Sequence, residues 1–248
     1  MEFSLPSVIR IITIVGGIVD RLLSLFQFRS VFGRAVKDAE DFVLSLPQWT
    51  LIENADRTPR YERVSPRGEK FKHYGPGRVF AEDDVKGAAA LLGLIAGVFG
   101  KTAVIVSDRE HTSLMNKTAI ILGSPTINFE AAEYLKLHKH ELPIEFVEKA
   151  VGGKNTICLS DKRQNENKEY AGDENYDYGV IIRVPHLKQK PNANYIFFVA
   201  GLTDVGTLAA SNYFSANWKS FRGKPPVFAV VLKVSKARPA HFEVVVGT

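Results

Sequence analysis

The chain has little cysteine and no long uninterrupted apolar run. Only one of its 248 residues is a cysteine, Cys158, which excludes a disulfide framework and a thiolate metal site. This residue lies in the apolar run NTICLSD, so we expect a buried thiol. An apolar content of 45% and a charged content of 24% are typical of a globular protein rather than a disordered one. Because nothing here requires an oxidising compartment, we expect a cytoplasmic protein.

Acidic residues are absent between Val205 and Phe242, although basic residues are frequent there. The basic residues of this stretch are Lys219, Arg222, Lys224, Lys233, Lys236 and Arg238. Such a zone raises the local electrostatic potential and favours an anionic partner, and the alternative is a basic edge that faces only solvent. The density of basic residues is too low for a nucleic-acid interface, so the sequence argues against nucleic acid as a partner.

The N-terminal segment, residues 3–28, lacks an uncharged run long enough to cross a membrane. Arg10 and Asp20 bracket only nine residues, whereas a spanning helix needs about 20. We also expect no signal peptide, because no basic segment precedes the apolar run and no small-residue cleavage site follows it. Helical spacing instead gathers the apolar side chains on one wide face, which consists of Ile11, Ile12, Ile14, Val15, Ile18, Val19, Leu22, Leu25 and Phe26.

An amphipathic helical hairpin is therefore predicted for residues 1–49. Its second helix has the apolar face Val31, Phe32, Ala35, Val36, Ala39, Phe42, Val43 and Leu46, and ends at Pro47. The apolar face of the first helix must be buried against another surface. Three surfaces remain as alternatives: the protein's own core, a second copy in a homo-oligomer, or a membrane. Burial in a membrane surface would make the protein a peripheral membrane protein. Residues 50–79 are rich in proline and glycine and predict a linker or a short hairpin.

Residues 80–248 have the pattern of an α/β domain. Helices are predicted for VFAEDDVKGAAALLGLIAGVFG, FEAAEYLKL and GTLAASNYFSANW, and strands for TAVIVSD, KTAIILGSP, DYGVIIRV, YIFFVAG, VFAVVLKV and HFEVVVG. Uninterrupted aliphatic strands that alternate with helices favour a mainly parallel sheet covered on both faces, as in Rossmann-like folds. The short link between the last two strands predicts an antiparallel pair at one edge of the sheet.

Two loops of small polar residues follow predicted strands: GSPTIN at residues 123–128 and GLTDVGT at residues 201–207. Ligands of open α/β sheets bind outside the carboxyl ends of the strands, and a helix N-terminus offers unpaired N–H groups to an anion. We predict that the ligand-binding residues are Gly123, Ser124, Asn128, Gly201, Thr203, Asp204, Gly206 and Thr207. In the alternative interpretation both loops are only tight turns, with Asn128 or Thr207 as a plain N-cap.

The second loop is close to the phosphate-binding loop G-x-x-x-x-G-K-[ST] but lacks its lysine. Gly201 and Gly206 are in register, whereas Thr207 occupies the lysine position and Leu208 that of the magnesium-binding hydroxyl. Phosphoryl transfer is hard to support without the lysine. We predict no catalytic residues, since the nucleophile motif G-x-S-x-G is absent. We also predict no cofactor and no metal site, because His138 and His140 are two residues apart and are poorly placed to bind one ion together.

The segments GSPTIN, DYGVIIRV and YIFFVAGLTDVGTLAA together resemble a poorly characterised prokaryotic family. Its pattern is G-G-P-x-x-N after a strand, then D-Y-G, then a strand with G-x-x-x-x-G-T-x-x-A, and it is loosely similar to C-terminal domains of archaeal surface-layer proteins. The resemblance covers about residues 80–218, and Ser124 departs from the G-G-P pattern. The matching residues are Asn128, Asp177, Tyr178, Gly179, Gly201, Gly206 and Thr207. The resemblance implies a Rossmann-like domain and no particular reaction.

These patterns favour a ligand-sensing module that binds a nucleotide or a similar phosphorylated small molecule across the two loops. The N-terminal helices would pass the bound state to a partner, a second copy or a membrane surface. One alternative is a non-catalytic structural or interaction domain. Another is a nucleotide-processing hydrolase that uses Glu130 or Asp204, but without a catalytic motif the sequence leans away from an enzyme.

Overall fold

The computed structural model describes residues 23–47, 50–53, 59–64, 66, 68, 70–74, 82–108, 117–151, 154–163, 168–186 and 194–246. The helices are α1 (23–32), α2 (Glu82–Phe99), α3 (Phe129–Leu137) and α4 (Asp204–Asn217), with short 3-10 helices at Ala39–Asp41 and Trp218–Phe221. The strands are β1 (Phe42–Leu46), β2 (Thr50–Glu53), β3 (Pro59–Val64), β4 (Lys70–Tyr74), β5 (Val104–Ser107), β6 (Thr118–Leu122), β7 (Ile144–Val151), β8 (Lys154–Asp161), β9 (Lys168–Ala171), β10 (Tyr176–Pro185), β11 (Tyr195–Gly201), β12 (Phe228–Ser235) and β13 (Arg238–Val246). Within this part of the chain, no helix has both the length and the apolar character needed to span a bilayer.

Seven strands form one mixed sheet in the order β13-β12-β10-β11-β6-β1-β5. The four strands β11, β6, β1 and β5 are parallel, whereas β10, β12 and β13 join the sheet through antiparallel pairs. The predicted Rossmann-like, mainly parallel sheet is therefore wrong. Only nine residues connect Pro185 at the end of β10 to Tyr195 at the start of β11, fewer than a parallel crossover requires. The predicted antiparallel edge pair, β12 with β13, is confirmed.

The inner strands of this sheet are covered on both faces, which explains why they are aliphatic whatever their direction. On β6, Ile120 and Leu122 face the cluster that contains residues of α1, α2 and α4. Ala119 and Ile121 alternate with them and face the cluster that contains residues of α3, β7 and β8. Strands buried on both faces have the same apolar composition in parallel and antiparallel sheets, so composition alone predicted the wrong direction for β10 and β12.

The second helix of the predicted N-terminal hairpin is absent from the described residues. Helix α1 ends before Gly33, whose φ of 121° lies in the left-handed region that favours glycine. A turn and a 3-10 helix, capped by Asp38 and Asp41, then lead into β1. All five residues of β1 are buried, and the strand pairs in parallel with β5 and β6. Three of the apolar residues assigned to a helix face, Phe42, Val43 and Leu46, therefore belong to an inner strand of the sheet.

Helix α1 packs on this same sheet through two fully buried phenylalanines. The rings of Phe28 and Phe32 stack with centroids 4.1 Å apart, and Phe32 also contacts the rings of Phe42 and Phe197. The C-terminal end of the first predicted helix is thus covered by the protein's own core. Residues 3–22, which carry most of the predicted apolar face, lie outside the described residues.

Two small antiparallel sheets complete the described structure. Strands β2, β3 and β4 form one of them, within the region predicted as a linker or short hairpin. Strands β7, β8 and β9 form the other, and Ile144, Leu159 and Tyr170 from these strands join the core on the second face of the main sheet. Cys158 on β8 is buried, as predicted, and burial raises the pKa of its thiol.

Candidate functional site

The two predicted ligand loops meet at one edge of the main sheet. They follow β6 and β11, which are neighbouring parallel strands, so their carboxyl ends lie side by side. Between them lies a cavity of about 180 Å³, which we call the strand-end cavity. Its lining residues are Pro47, Asp84, Ser124, Thr126, Ile127, Gly201, Leu202, Thr203, Asp204 and Thr207. The predicted convergence of the loops is confirmed.

The N-terminus of α4, where an anion was expected, is already occupied by a carboxylate of the chain itself. Oδ2 of Asp177 accepts hydrogen bonds from the backbone N–H of Thr203 at 3.2 Å, from its hydroxyl at 2.6 Å and from the backbone N–H of Gly206 at 2.7 Å. Asp177 is completely buried at the start of β10. Its negative charge complements the helix dipole as a phosphate would, so these amides are not available to a ligand.

The glycines of the second loop allow close packing between α4 and the strands beneath it. A Cβ on Gly201 would lie 2.3 Å from the backbone nitrogen of Thr207, and a Cβ on Gly206 would lie 2.4 Å from the carbonyl oxygen of Tyr178. A Cβ on Gly179 of β10 would in turn lie 2.5 Å from the carbonyl oxygen of Gly206. The loop therefore needs glycine because the chain's own backbone approaches it, not because of a phosphate.

The first loop is also held by internal bonds. The Asn128 side chain is fully buried, accepts a hydrogen bond from the Ala131 N–H at 3.0 Å and donates one to the Leu122 carbonyl at 2.9 Å. It is the N-cap of α3, which matches the alternative interpretation of this loop. The hydroxyls of Ser124 and Thr126 bond to each other at 2.6 Å.

Five of the eight predicted ligand residues line the strand-end cavity, and three do not. Ser124, Gly201, Thr203, Asp204 and Thr207 form part of its wall. The other three, Gly123, Asn128 and Gly206, use their amide groups in hydrogen bonds within the chain. The carboxylates of Asp84 and Asp204 on the same wall repel anions, so this cavity suits a neutral group better than a phosphate.

A larger and strongly basic cavity, which we call the basic cleft, lies elsewhere on the molecule. Its volume is about 690 Å³, and it is lined by Phe26, Arg29, Ser30, Arg34, Arg183, Tyr195, Arg222, Gly223, Lys224 and Pro226. Five of these residues carry a positive charge and none carries a negative one. They come from α1, the turn after it, the antiparallel pair β10–β11 and the turn before β12.

Arg183 is the innermost cation of the basic cleft, with only 2% of its surface exposed. Its guanidinium donates hydrogen bonds to the main-chain carbonyls of Val31, Lys224 and Pro225 at 2.7–2.9 Å. Its Nε has no hydrogen-bond partner among the described residues. Burial lowers the pKa of Arg183 to about 10, because a charged group is hard to desolvate. The described part of the chain thus buries this positive charge without a carboxylate to compensate it.

Aromatic rings hold the Arg183 guanidinium in place from two sides. Its central carbon lies 4.5 Å from the ring centroid of Tyr195 and 4.5 Å from that of Phe228. Burial raises the pKa of Tyr195, whereas the positive charges of Arg183 and Arg34 act to lower it. The hydroxyl of Tyr195 therefore stays protonated near neutral pH, in the field of two guanidinium groups.

The outer cations of the basic cleft are more exposed. Arg29, Arg34 and Arg222 are exposed and Lys224 is half-buried. The Nε of Arg29 donates a 2.6 Å hydrogen bond to the Val36 carbonyl, and the guanidinium has four further N–H donors besides this one. The cleft therefore has one buried cation, Arg183, whose position is fixed, and four outer cations whose side chains are more exposed. Several cations around one space suit a multiply charged anion.

Sequence reasoning missed the basic cleft because its residues are far apart in the chain. Arg29 and Arg34 are separated from Arg183 by about 150 residues, and the packing of α1 against β10 brings them together. The signal that pointed towards the cleft was the acid-free stretch after Val205, which contributes Arg222 and Lys224.

No cluster of His, Cys, Asp and Glu within the described residues has the composition of a metal site. The resemblance to a prokaryotic Rossmann-like family stays a prediction. Comparisons of the chain with models of protein families, with curated proteins and with solved structures find no match.

Proposed function

We propose that this chain is a non-catalytic module that binds a phosphorylated small molecule in the basic cleft. The observation that carries this proposal is the buried charge of Arg183, which has no carboxylate partner among the described residues. Carbonyls and aromatic rings offset only part of the cost of burying a cation, and a bound anion would offset more of it. Arginine N–H groups match the oxygen geometry of phosphate, and the exposed Arg29, Arg34 and Arg222 supply such donors beside Arg183.

The size of the basic cleft also supports a small-molecule ligand. Its volume of about 690 Å³ lies inside the usual range of ligand sites, roughly 300–1,000 Å³. The hydroxyls of Ser30 and Tyr195 add polar contacts beside the cations. Among the described residues, the lining includes no carboxylate, imidazole or thiol, the groups that most enzymes use as general bases. Binding without chemistry is therefore the function that this lining favours.

The strand-end cavity is a second candidate site, with a different ligand chemistry. Its wall combines the hydroxyls of Thr203 and Thr207 with the carboxylates of Asp84 and Asp204. Carboxylates accept hydrogen bonds from sugar hydroxyls, as in the ribose contact of dinucleotide-binding folds, and threonine hydroxyls can accept them too. About 180 Å³ is enough for a sugar-sized group rather than a whole nucleotide. A nucleotide whose phosphates rest on the two loops is less well supported than a neutral group.

A thermal-shift and calorimetry panel tests the proposed function. We expect pyrophosphate, ribose 5-phosphate and ATP to stabilise the full chain, and adenosine and ribose to leave it unchanged. A ligand at 100 times its Kd adds about 2.7 kcal/mol to the free energy of unfolding. Added salt should weaken the effect, because the outer cations of the cleft are exposed.

Other outcomes of this panel contradict the proposal. Stabilisation by none of the phosphorylated compounds would favour the structural or interaction domain. Stabilisation by ribose and adenosine alone would favour the strand-end cavity as the site. Conversion of ATP or ribose 5-phosphate to products, followed by chromatography, would show an enzyme instead of a binding module.

A further inference from the structure

Two large apolar side chains stand exposed on α1 at the mouth of the basic cleft. Leu23 is 54% exposed and Phe26 is 63% exposed, and Phe26 is part of the cleft lining. Because they are three residues apart on a helix, they lie on the same face. Single exposed apolar residues are common, but a contiguous apolar patch, here an adjacent Leu and Phe beside the basic cleft, is typical of an interaction site.

Positive charge surrounds this apolar pair. The guanidinium of Arg222 lies 5.8 Å from the ring centroid of Phe26, and Arg29 follows Phe26 by three residues on the same helix face. Lys219, which is exposed, lies one turn before Arg222 in the same acid-free stretch. Apolar side chains flanked by Lys and Arg are the pattern of surfaces that dock on anionic membranes.

We infer that the basic cleft and the exposed pair Leu23–Phe26 together form a docking surface for an anionic lipid bilayer. This inference rests on the proposed function, because the phosphoryl group in the cleft is then the headgroup of a lipid. In this arrangement the Phe26 ring and the Leu23 side chain enter the acyl boundary, and the cations contact phosphates around them.

A lipid explains more of the surface than a free phosphorylated molecule does. A soluble phosphate would leave Leu23 and Phe26 in water, and a stacked base would use only the ring of Phe26. In a bilayer, acyl chains can contact both apolar side chains while lipid phosphates contact the cations of the cleft. The sequence just before Leu23 adds to this, since residues 11–19 contain no charged residue and are mostly aliphatic.

Flotation of the full chain with lipid vesicles tests the inference. We expect flotation with vesicles of phosphatidylcholine and phosphatidic acid, and little with phosphatidylcholine alone. The double variant Leu23→Ser/Phe26→Ser should reduce vesicle binding by more than about tenfold, because two apolar side chains lose their burial in lipid. Arg222→Gln should reduce it by about fivefold, the effect expected for one cation near an anionic surface.

Matched control variants distinguish binding through this surface from nonspecific binding of exposed apolar or charged residues to lipid. Val85→Ser/Leu137→Ser removes two apolar side chains of similar exposure from α2 and α3, and should leave flotation unchanged. Arg238→Gln removes one exposed charge from the same acid-free stretch, but outside the cleft lining, and should change binding less than about twofold.

The possible results distinguish failure of this inference from failure of the proposed function. If pyrophosphate and glycerol 3-phosphate bind the chain but vesicles do not, the membrane inference is wrong and the proposed function stands. If neither soluble phosphates nor vesicles bind, both are wrong. Equal flotation of the wild-type chain and Leu23→Ser/Phe26→Ser would show that another surface holds the lipid. A concentration-dependent dimer that the same variant abolishes, without flotation, would identify a second copy as the partner.

Discussion

A Gly206→Ala variant is expected to lose about 3 kcal/mol of the free energy of unfolding, near the upper end for an overpacked core. The added Cβ would lie 2.4 Å from the Tyr178 carbonyl oxygen and 2.8 Å from Oδ2 of Asp177. Neither neighbour is the far end of a flexible side chain, because the first is backbone and the second bonds to the amides that start α4. The helix must therefore shift away from β10. Equilibrium unfolding in urea, followed by circular dichroism, measures the loss.

A matched glycine on another helix gives the control. Gly93 lies on the exposed side of α2, and a Cβ there would have no neighbour within 4 Å. Gly93→Ala should therefore stabilise the protein by up to about 1 kcal/mol, the usual gain from removing glycine within a helix. If Gly206→Ala were as stable as the wild-type chain but bound phosphates more weakly, Gly206 would serve a ligand rather than packing. That outcome would restore the phosphate-loop interpretation of GLTDVGT.

The second large effect is expected in ligand affinity. Replacing Arg34 and Arg222 by glutamine should weaken pyrophosphate binding by about 100-fold, because each lost charge-assisted hydrogen bond is worth about 1.5 kcal/mol or more. Both residues are exposed, so the fold should tolerate the changes. Arg183 is a poor first choice, since its loss would also leave the carbonyls of Val31 and Lys224 without their donor. Isothermal titration calorimetry measures the affinity.

A variant outside the cleft decides whether this loss is specific to the cleft. Arg238→Gln removes one positive charge, where the double variant removes two, from an exposed position on β13. It should weaken pyrophosphate binding by less than about twofold, since charges beyond a Debye length of about 10 Å are screened. Equal losses per charge in the two variants would mean that the ligand senses only the net charge of the protein, and the basic cleft would not be its site.

The individual elements of the fold were largely predictable from the sequence, but their arrangement was not. Helices α2, α3 and α4 and strands β5, β6, β10, β11, β12 and β13 follow local patterns that the structure confirms. Strand direction depends on how the connections cross the sheet, and aliphatic composition does not encode it. Strand β1 was missed because its five apolar or small residues, FVLSL, continue a helix-like spacing that begins at Val31. The three strands β7–β9 gave no clear pattern.

The candidate site shows the same division between local and long-range information. The two loops were expected to converge because each follows the carboxyl end of a predicted parallel strand. These strands, β6 and β11, are parallel neighbours. The role of Asp177 was not predictable, because it reaches α4 from a strand about 30 residues earlier in the chain. The basic cleft depends on contacts between α1, β10 and the turn before β12, and a local sequence pattern does not predict such contacts.

A crystal of the protein soaked with pyrophosphate tests the central claim most directly. We expect anion density in the basic cleft, within hydrogen-bond distance of Arg34 and Arg222 and close to Tyr195. Density that appears only at the strand-end loops, beside Ser124 and Thr203, would contradict the claim. An empty cleft at saturating pyrophosphate would contradict it as well, and would leave the buried charge of Arg183 as a purely structural feature.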